Sequence, residues 1–255
     1  MATREIPPRT VRAAMASLGR AQKPGAGVPA YTRWVNRGLA RFAAATAYSW
    51  GWSPNTVTVA SAVSSAAGLT LLIWLEPNPL VGLLVAGLLA LGYLLDSADG
   101  QVARLSRSGS KLGEWLDHVV DAIRTPTIHL TVLVALWRWT DAPTWLLVTA
   151  LLYCVISVGQ FMSQILAEQL APDRGRPAAT GGVLRSVLLL PTDMGTLCWV
   201  FVLWGFSIGR YPEGFAFAYA AMFAINTVYS VVSMRRKYQR LAGLPRPAPT
   251  EVMSR

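Results

Sequence analysis

The chain has 255 residues, of which 53% are hydrophobic and only 14% are charged. Soluble domains are about one quarter charged, so this composition argues against a soluble globular protein and indicates that lipid is the main solvent. The net charge of +10 raises the question of nucleic-acid binding, but no basic stripe with interleaved aromatic residues lies on a polar segment, and we expect no nucleic-acid partner.

The N-terminal region, residues 1–28, contains five Lys and Arg residues but no apolar run long enough for the core of a signal peptide. We therefore predict that this region is not a cleaved export signal. Its composition is instead that of a polybasic cytoplasmic arm, which the anionic lipid of the inner leaflet would attract.

Residues 29–48 are predicted to form a helix with two different faces. At 100° per residue, one face carries the basic side chains Arg33, Arg37 and Arg41. The opposite face carries the apolar side chains Tyr31, Val35, Leu39 and Phe42. This pattern indicates an interfacial amphipathic helix on the cytoplasmic leaflet, although a helix packed on a bundle would show the same pattern.

Six apolar segments are long enough to cross a hydrocarbon core, which needs about 20 helical residues. The predicted spans are 56–75, 79–96, 112–137, 143–168, 184–206 and 213–234. They predict an all-α integral membrane protein with six transmembrane helices in residues 49–238 and a cytoplasmic tail in residues 239–255. With both termini in the cytoplasm, 20 of the 23 Lys and Arg residues lie on that side, as the positive-inside rule requires.

Acidic residues are rare in membrane spans, because a charged side chain costs at least about 2.5–3.5 kcal/mol on insertion scales. Four aspartates nevertheless lie at the cytoplasmic ends of spans two and three, namely Asp96, Asp99, Asp117 and Asp121. Within each pair, the spacing of three or four residues places both side chains on one helical face. Two adjacent helices would then present four carboxylates to one cavity, and such a cluster requires cations.

Mg²⁺ or Mn²⁺ would satisfy this cluster, because both prefer oxygen ligands and both bridge carboxylates to a diphosphate. Small residues on the same two faces, Gly100, Ala103 and Gly113, leave space for a nucleotide beside the helix backbone. Arg104 supplies N–H donors for phosphate oxygens. Helix capping and pairing with nearby basic residues would explain one or two of the acids, but not four on converging faces.

Residues 96–121 match the pattern D-x2-D-G-x2-A-R-x8-G-x3-D-x3-D at every fixed position. This is the pattern of the CDP-alcohol phosphotransferases, and the chain resembles that family over residues 30–235. The segment 53–58 is similar to a Pro-Asn-x-x-Thr stretch that members commonly carry before the first span. The resemblance implies a phospholipid-synthesising membrane enzyme that transfers a phosphoalcohol group from a CDP-linked lipid, such as CDP-diacylglycerol, to a small polar alcohol and releases CMP.

The resemblance also implies roles for individual residues. Asp96, Asp99 and Asp117 would hold two divalent metal ions, and Asp121 beside them would be both a metal ligand and the general base on the acceptor hydroxyl. The implied contacts of the cytidine diphosphate are Asn55, Thr58, Gly100, Ala103, Arg104 and Gly113. Family members are typically homodimers that act at the cytoplasmic face of the membrane.

Two arginines are further candidates for the acceptor. Arg185 begins span five on the side of the aspartates, where it would bind an acceptor phosphate or serve as a positive-inside anchor. Arg124 lies one turn deeper than Asp121, and a contact with Asp193 of span five is also expected, because opposite charges at membrane depth tend to pair.

Other polar residues in the spans have no predicted catalytic role. Span four carries a polar stripe that should face the bundle interior, formed by Ser157, Gln160, Gln164 and Glu168. Whether this stripe touches substrate or only neighbouring helices stays open. The histidines and cysteines, His118, His129, Cys154 and Cys198, are expected to be packing or supporting residues.

Two other classes of function use similar residues. Intramembrane prenyltransferases also bind a diphosphate through aspartate-rich helices and Mg²⁺, but the glycine and arginine positions between the acids do not fit that pattern. A proton- or cation-coupled transporter would carry its acids near the bilayer midplane rather than at one face. The acceptor is open among inositol phosphate, glycerol phosphate, serine and other alcohols. His118 stands where phosphatidylglycerophosphate-forming members commonly have proline, which weakly disfavours that group, and a polyol phosphate such as inositol phosphate is slightly favoured.

Overall fold

A computed structural model describes residues 6–20, 27–171, 182–206 and 211–244. Within these ranges every regular element is helical, which confirms the predicted all-α fold. The α-helices of the described ranges are α1 Val11–Arg20, α2 Arg37–Ser49, α3 Pro54–Trp74, α4 Pro79–Ser106, α5 Lys111–Trp139, α6 Thr144–Leu170, α7 Val183–Leu188, α8 Met194–Val200 and α9 Glu213–Ala242. A π-helical turn, Thr32–Asn36, precedes α2, and 3-10 turns at Leu190–Thr192 and Phe201–Gly205 flank α8.

Within the described ranges, five helices, α3, α4, α5, α6 and α9, are long and apolar enough to cross a membrane. They correspond to five of the six predicted spans, and each begins within two residues of its predicted start. The largest difference lies at the end of α4, which continues to Ser106 rather than ending at Asp96. The first half of the aspartate motif is therefore helical throughout.

The fifth predicted span, residues 184–206, is not a continuous helix. α7 ends at Leu188, and α8 begins at Met194 after a 3-10 turn. Pro191 has no N–H for a helical hydrogen bond, and Asp193 caps α8 by accepting from the backbone N–H of Gly195 at 3.0 Å. The prediction of six continuous spans is therefore not confirmed, since this segment is broken where proline and a capping aspartate follow each other.

The chain reverses between α4 and α5 in only four residues, 107–110. Arg107 ends α4 in the left-handed backbone conformation, with φ of 53°. Ser110 then caps α5 by accepting from the backbone N–H of Gly113 at 3.1 Å. Because the connection is so short, the two halves of the aspartate motif lie on neighbouring antiparallel helices.

α3 and α4 approach each other closely along small residues. Ser61 Oγ donates to the carbonyl of Gly92, and Ser64 Oγ to the carbonyl of Leu88, both at 2.8 Å. A Cβ at Gly92 would lie 2.2 Å from Ser65 Oγ and 3.1 Å from the carbonyl oxygen of Ser61, so a larger residue there would crowd the two helices. Small residues and side-chain hydrogen bonds are the usual means by which membrane helices associate. This pair forms one wall of the site described below.

The N-terminal region contains a helix that the sequence analysis does not predict. α1 buries Ala14 and Leu18 in a cluster with Ala40 and Ala44 of α2. Large apolar side chains of the predicted amphipathic segment remain exposed, namely Trp34, Val35, Leu39 and Phe42. A lipid interface would cover this face, and the interfacial location of residues 29–48 stays a prediction. Residues 1–5 and 21–26 of the predicted arm and 245–255 of the predicted tail lie outside the described residues.

Candidate active site

Three of the four predicted aspartates meet between α4 and α5. Asp96, Asp117 and Asp121 each offer one carboxylate oxygen, and these oxygens lie within 4.8 Å of one another. Asp96 is 17% exposed and Asp121 30% exposed, so water screens the repulsion between these carboxylates only in part. The sequence predicts four carboxylates in one cavity, and the structure brings three of them together through the spacing of the acids and the short turn between two helices.

The cluster fits a divalent cation that prefers oxygen ligands. It provides carboxylate oxygens from two helices, and among the described residues no histidine or cysteine belongs to it. Such an oxygen-only set is typical of Mg²⁺ and Mn²⁺ rather than of metals that favour imidazole or thiolate. His118, adjacent to Asp117 in sequence, lies outside the cluster, and its supporting role stays a prediction.

A buried arginine joins the cluster to a third helix. Arg124 is 7% exposed, and its Nη1 donates to Asp96 at 2.8 Å and to Asp121 at 3.1 Å. Its Nη2 donates to Ser61 Oγ of α3 at 2.6 Å. The sequence does not single out Ser61, because Ser64 and Ser65 of the same helix are buried as well and no motif marks one of the three. Arg124 thus holds together α3, α4 and α5.

The predicted contact between Arg124 and Asp193 is wrong. Asp193 accepts from both the backbone N–H of Thr32, at 2.8 Å, and its hydroxyl, at 2.9 Å. The Thr32 hydroxyl also lies 2.7 Å from the hydroxyl of Tyr93. Asp193 therefore fastens the π-helical turn before α2 to the start of α8. Neutral donors satisfy this carboxylate, and the arginine has two other carboxylates within reach.

Asp99, the fourth predicted aspartate, is bonded to other partners than the cluster. Its carboxylate accepts from Thr58 Oγ1 at 2.6 Å and from the backbone N–H of Gly100. Its oxygens are not part of the three-aspartate cluster. Asp99 instead lines a neighbouring cavity, and its predicted role as a metal ligand stays a prediction.

This neighbouring cavity, about 450 Å³ in volume, lies between the first turns of α3 and α5 and the last turns of α4. Five of the six residues predicted to contact cytidine diphosphate line it, namely Asn55, Thr58, Gly100, Ala103 and Gly113. Arg104 is exposed and is not among its lining residues. Asp117 lines the cavity and also belongs to the carboxylate cluster, so the two features are continuous.

Two glycines shape this cavity in different ways. A Cβ at Gly100 would meet no atom within 4 Å, so the missing side chain leaves open space at the cavity wall. A Cβ at Gly113 would lie 3.3 Å from Asn55 Oδ1, so this glycine lets the start of α5 approach α3. Of the two, only Gly100 fits the predicted role of leaving space for a ligand.

A larger cavity of about 1320 Å³ opens between α7 and α9. Its basic lining residues are Arg185, Arg236, Lys237 and Arg240. The Nζ atom of Lys237 is enclosed and has no hydrogen-bond partner in the described part of the chain. Sequence reasoning selected only Arg185, because the α9 residues counted as positive-inside charges. Their spacing over 236–240, which places them along one side of a helix, is the signal that would have found them.

The polar stripe of α6 pairs with neighbouring helices. Ser157 Oγ lies 3.0 Å from His129 Nε2 on α5, and Gln160 Nε2 donates to Ser233 Oγ on α9 at 3.2 Å. The other two residues of the stripe, Gln164 and Glu168, hydrogen-bond to each other. His129 is buried with both ring nitrogens hydrogen-bonded, as expected of a packing histidine. Both cysteines, Cys154 and Cys198, are free thiols.

Comparison with known proteins identifies relatives of this arrangement. The family model described as CDP-alcohol phosphatidyltransferase matches residues 52–232. An archaetidylinositol phosphate synthase of Aeropyrum pernix is 43% identical over 82 residues, which are 32% of this chain and 40% of that protein. A CDP-diacylglycerol–serine O-phosphatidyltransferase of Mycobacterium leprae is 29% identical over 163 residues, 59% of this chain and 52% of that protein. The chain thus spans about half or less of the length of these curated relatives.

Among solved structures, the fold is similar to that of a phosphatidylinositol phosphate synthase of Mycobacterium tuberculosis in complex with manganese and citrate. The TM-score is 0.55, the sequence identity is 21%, and the match covers 84% of this chain and 94% of that one. At this identity, the similarity shows a shared fold.

Proposed function

Because the chain belongs to the CDP-alcohol phosphatidyltransferase family, we propose that it is an integral-membrane enzyme that transfers a phosphoalcohol group from a CDP-linked lipid to an alcohol and releases CMP. The observation that carries this proposal is the continuity of two features. A cavity lined by the predicted nucleotide contacts opens, through Asp117, onto a cluster of three carboxylates. A nucleotide bound in the cavity would place its diphosphate at the carboxylate cluster.

The donor would bind with its cytidine in the cavity between α3, α4 and α5. Asn55 and Thr58 supply polar groups at one wall, and the open space beside Gly100 admits the ligand to the helix backbone. Arg104 would contact the phosphates of the donor from outside the cavity. We favour CDP-diacylglycerol as the donor, because such a lipid matches an active site at the end of membrane-length helices.

Asp96, Asp117 and Asp121 are the residues that would hold a divalent cation, and Asp99 would join them for a second ion. When bound, Mg²⁺ or Mn²⁺ would neutralise the diphosphate and the charge that develops on it during transfer. The support is the oxygen-only donor set described above. The structure of the Mycobacterium tuberculosis synthase contains manganese, which is consistent with this proposal.

Asp121 would act as the general base. Its Oδ1 accepts from Arg124 Nη1 at 3.1 Å, which leaves the second carboxylate oxygen for a proton. The acceptor hydroxyl would give its proton to this oxygen, while the alcohol oxygen forms a bond to the phosphorus that carries the lipid alcohol. The bond between that phosphorus and the bridging oxygen breaks, and CMP leaves with the bridging oxygen and its electron pair.

The acceptor would enter beside the basic cavity between α7 and α9. An acceptor phosphate next to several carboxylates needs positive charge, and Arg185 with three cations of α9 provides it. We therefore favour a phosphorylated polyol such as inositol phosphate, in line with the activities named for two of the relatives. The predicted contact of Arg124 with the acceptor stays a prediction, since the contacts of its guanidinium are with Asp96, Asp121 and Ser61.

We place the active site and both termini on the cytoplasmic side and expect a homodimer. The sidedness rests on the distribution of Lys and Arg, most of which fall at one end of the helices. The dimer rests on the resemblance to the family.

The test is release of CMP by the purified full-length protein in lipid nanodiscs. CDP-diacylglycerol is supplied with Mn²⁺ and one acceptor at a time from inositol phosphate, glycerol phosphate, serine and inositol. We expect CMP release that depends on one of these acceptors, with inositol phosphate the best. No CMP from any donor and acceptor pair would overturn the proposal, and release of diphosphate from a prenyl diphosphate would favour the prenyltransferase class instead.

A further inference from the structure

The interior of the carboxylate cluster contains one positive charge that belongs to the protein. Arg124 lies on α5 with a side chain that is 7% exposed, and no other Lys or Arg among the described residues forms an ion pair with Asp96 or Asp121. Burying an arginine is unfavourable unless its charge is matched and its N–H groups are bonded. Here both conditions hold for the two terminal nitrogens, while Nε has no partner among the described residues.

The contacts of this arginine are selective for particular oxygens. Nη1 reaches Oδ1 of Asp96 at 2.8 Å and Oδ1 of Asp121 at 3.1 Å, and Nη2 is bonded to Ser61. Each carboxylate therefore keeps its second oxygen for another partner. Ser61 is itself fixed, because its hydroxyl donates to the carbonyl of Gly92 on α4. The arginine is thus bound to three helices and cannot move without disturbing their packing.

Without this charge, the cluster would consist of three aspartates that repel one another at short range in a partly buried position. Such a cluster opens or takes up protons unless a cation is present at all times. A bound metal ion would supply that cation, but it must also arrive and leave. A fixed guanidinium meets the same need during the intervals without metal.

We propose that Arg124 is a positioning residue, a built-in counter-cation that holds Asp96 and Asp121 in place before a divalent metal binds. Its contacts fix one oxygen of each carboxylate and leave the second oxygen free, for the metal at Asp96 and for the acceptor proton at Asp121. The proposal rests on the proposed function only in assuming that this site takes a divalent cation. Its central consequence concerns the metal-free protein and is independent of any substrate.

The test is a double-mutant cycle on thermal unfolding of the full-length protein in EDTA. Arg124→Met leaves the carboxylates without a counter-charge, and Tm should fall by about 5–15 °C, as expected when a buried ion pair loses one partner. Asp96→Asn removes one of the repelling charges. In the double variant Arg124→Met/Asp96→Asn, we expect Tm to recover by at least half of that fall. A double variant as unstable as the sum of the two single changes would show a purely structural arginine and overturn the proposal.

Two further measurements separate the effect of the Arg124 charge on stability from the effect of its side-chain shape. Arg124→Lys keeps the charge but not the bond to Ser61, and its Tm in EDTA should lie closer to that of the wild type than to that of Arg124→Met. Saturating Mn²⁺ should raise the Tm of Arg124→Met more than that of the wild type, because the metal then supplies the missing cation. Equal Tm values for the lysine and methionine variants, with equal Mn²⁺ increments, would contradict the proposal.

If Arg124→Met does not fold alone, its double variant with Asp96→Asn should still fold, and recovery of folded protein then replaces the Tm comparison. If neither folds while Arg124→Lys also fails, shape rather than charge governs the site and the proposal is overturned. If Mn²⁺ leaves the wild type unaffected, the metal use of the proposed function fails, whereas the double-mutant result in EDTA still decides the role of Arg124.

Discussion

Thr58 Oγ1 lies 2.6 Å from a carboxylate oxygen of Asp99 and donates a buried hydrogen bond that connects the first turn of α3 to the aspartate motif of α4. The two residues are 41 positions apart in sequence, and both line the same cavity. Thr58 comes from the Pro-Asn-x-x-Thr stretch at the start of α3, and Asp99 comes from the aspartate motif of α4. Their contact fixes a carboxylate at the boundary between the proposed cytidine and diphosphate sites.

Thr58→Val should weaken donor binding while leaving acceptor binding unchanged. The substitution keeps the shape of the side chain but removes the hydroxyl that holds Asp99 at the cavity wall, so the carboxylate can leave that position and we expect the donor KM to rise roughly ten-fold. The matched control is Thr70→Val on the same helix, because Thr70 is exposed and bonds only the backbone carbonyl of Ala66. A donor KM for Thr58→Val equal to that of the control would contradict this role.

Gly100→Leu should reduce donor binding without destabilising the protein. A side chain at Gly100 enters open space at the cavity wall, and a helical glycine gains stability on substitution, so Tm should hold or rise slightly while the donor KM rises at least ten-fold.

Gly92→Ala is the control for this prediction, because a Cβ there would lie 2.2 Å from Ser65 Oγ. It should lower Tm by several degrees, as overpacking costs about 1–3 kcal/mol. If Gly100→Leu lowers Tm as much as Gly92→Ala does, Gly100 serves helix packing rather than the ligand.

Asp121→Asn should abolish turnover but retain binding of the CDP-linked donor. An amide cannot accept the proton of the acceptor hydroxyl, whereas Asp96 and Asp117 remain to hold a cation. Asp96→Asn should instead weaken Mn²⁺-dependent donor binding, because it removes a carboxylate that faces the diphosphate. Donor binding measured by calorimetry distinguishes the two variants. An equal loss of binding in both would show that the aspartates do not have separate roles.

Arg185→Ala should raise the KM of a phosphorylated acceptor by roughly ten- to a hundred-fold, which corresponds to the loss of a charge-assisted contact of about 1.5–3 kcal/mol. The donor KM should barely change, because Arg185 lines the cavity between α7 and α9 and not the nucleotide cavity. Arg235→Ala is the control, since this exposed arginine lies beside the cavity residue Arg236 but does not line the cavity. An unchanged acceptor KM would leave Arg185 as a topological anchor.

Much of this fold follows from local signals in the sequence. Apolar runs bounded by proline give the starts of α3 and α4, and the cap at Ser110 gives that of α5. The aspartate cluster follows as well, because i,i+4 spacing and a four-residue turn leave little freedom in how two neighbouring helices face each other.

The features that sequence reasoning missed depend on partners distant in the chain. The broken fifth span is as apolar in composition as the others, and its break at Asp193 is stabilised by Thr32, 161 residues away. The predicted partner of Arg124, Asp193, is wrong for a similar reason. Opposite charge and similar membrane depth indicate only that Arg124 should pair with some buried carboxylate. Which carboxylate lies within hydrogen-bonding distance depends on how α3 packs against α4 and α5.

The central claim is that a CDP-linked lipid donates its phosphoalcohol group at the carboxylate cluster. It is tested most directly by measuring CMP and phospholipid product together, from CDP-diacylglycerol and a phosphorylated polyol, in protein treated with EDTA and then resupplied with Mn²⁺. The account predicts one CMP for each product molecule, none of either in EDTA, and recovery of both on adding Mn²⁺ in the wild type but not in Asp121→Asn. Full CMP release in EDTA, or release that persists in Asp121→Asn, would contradict it.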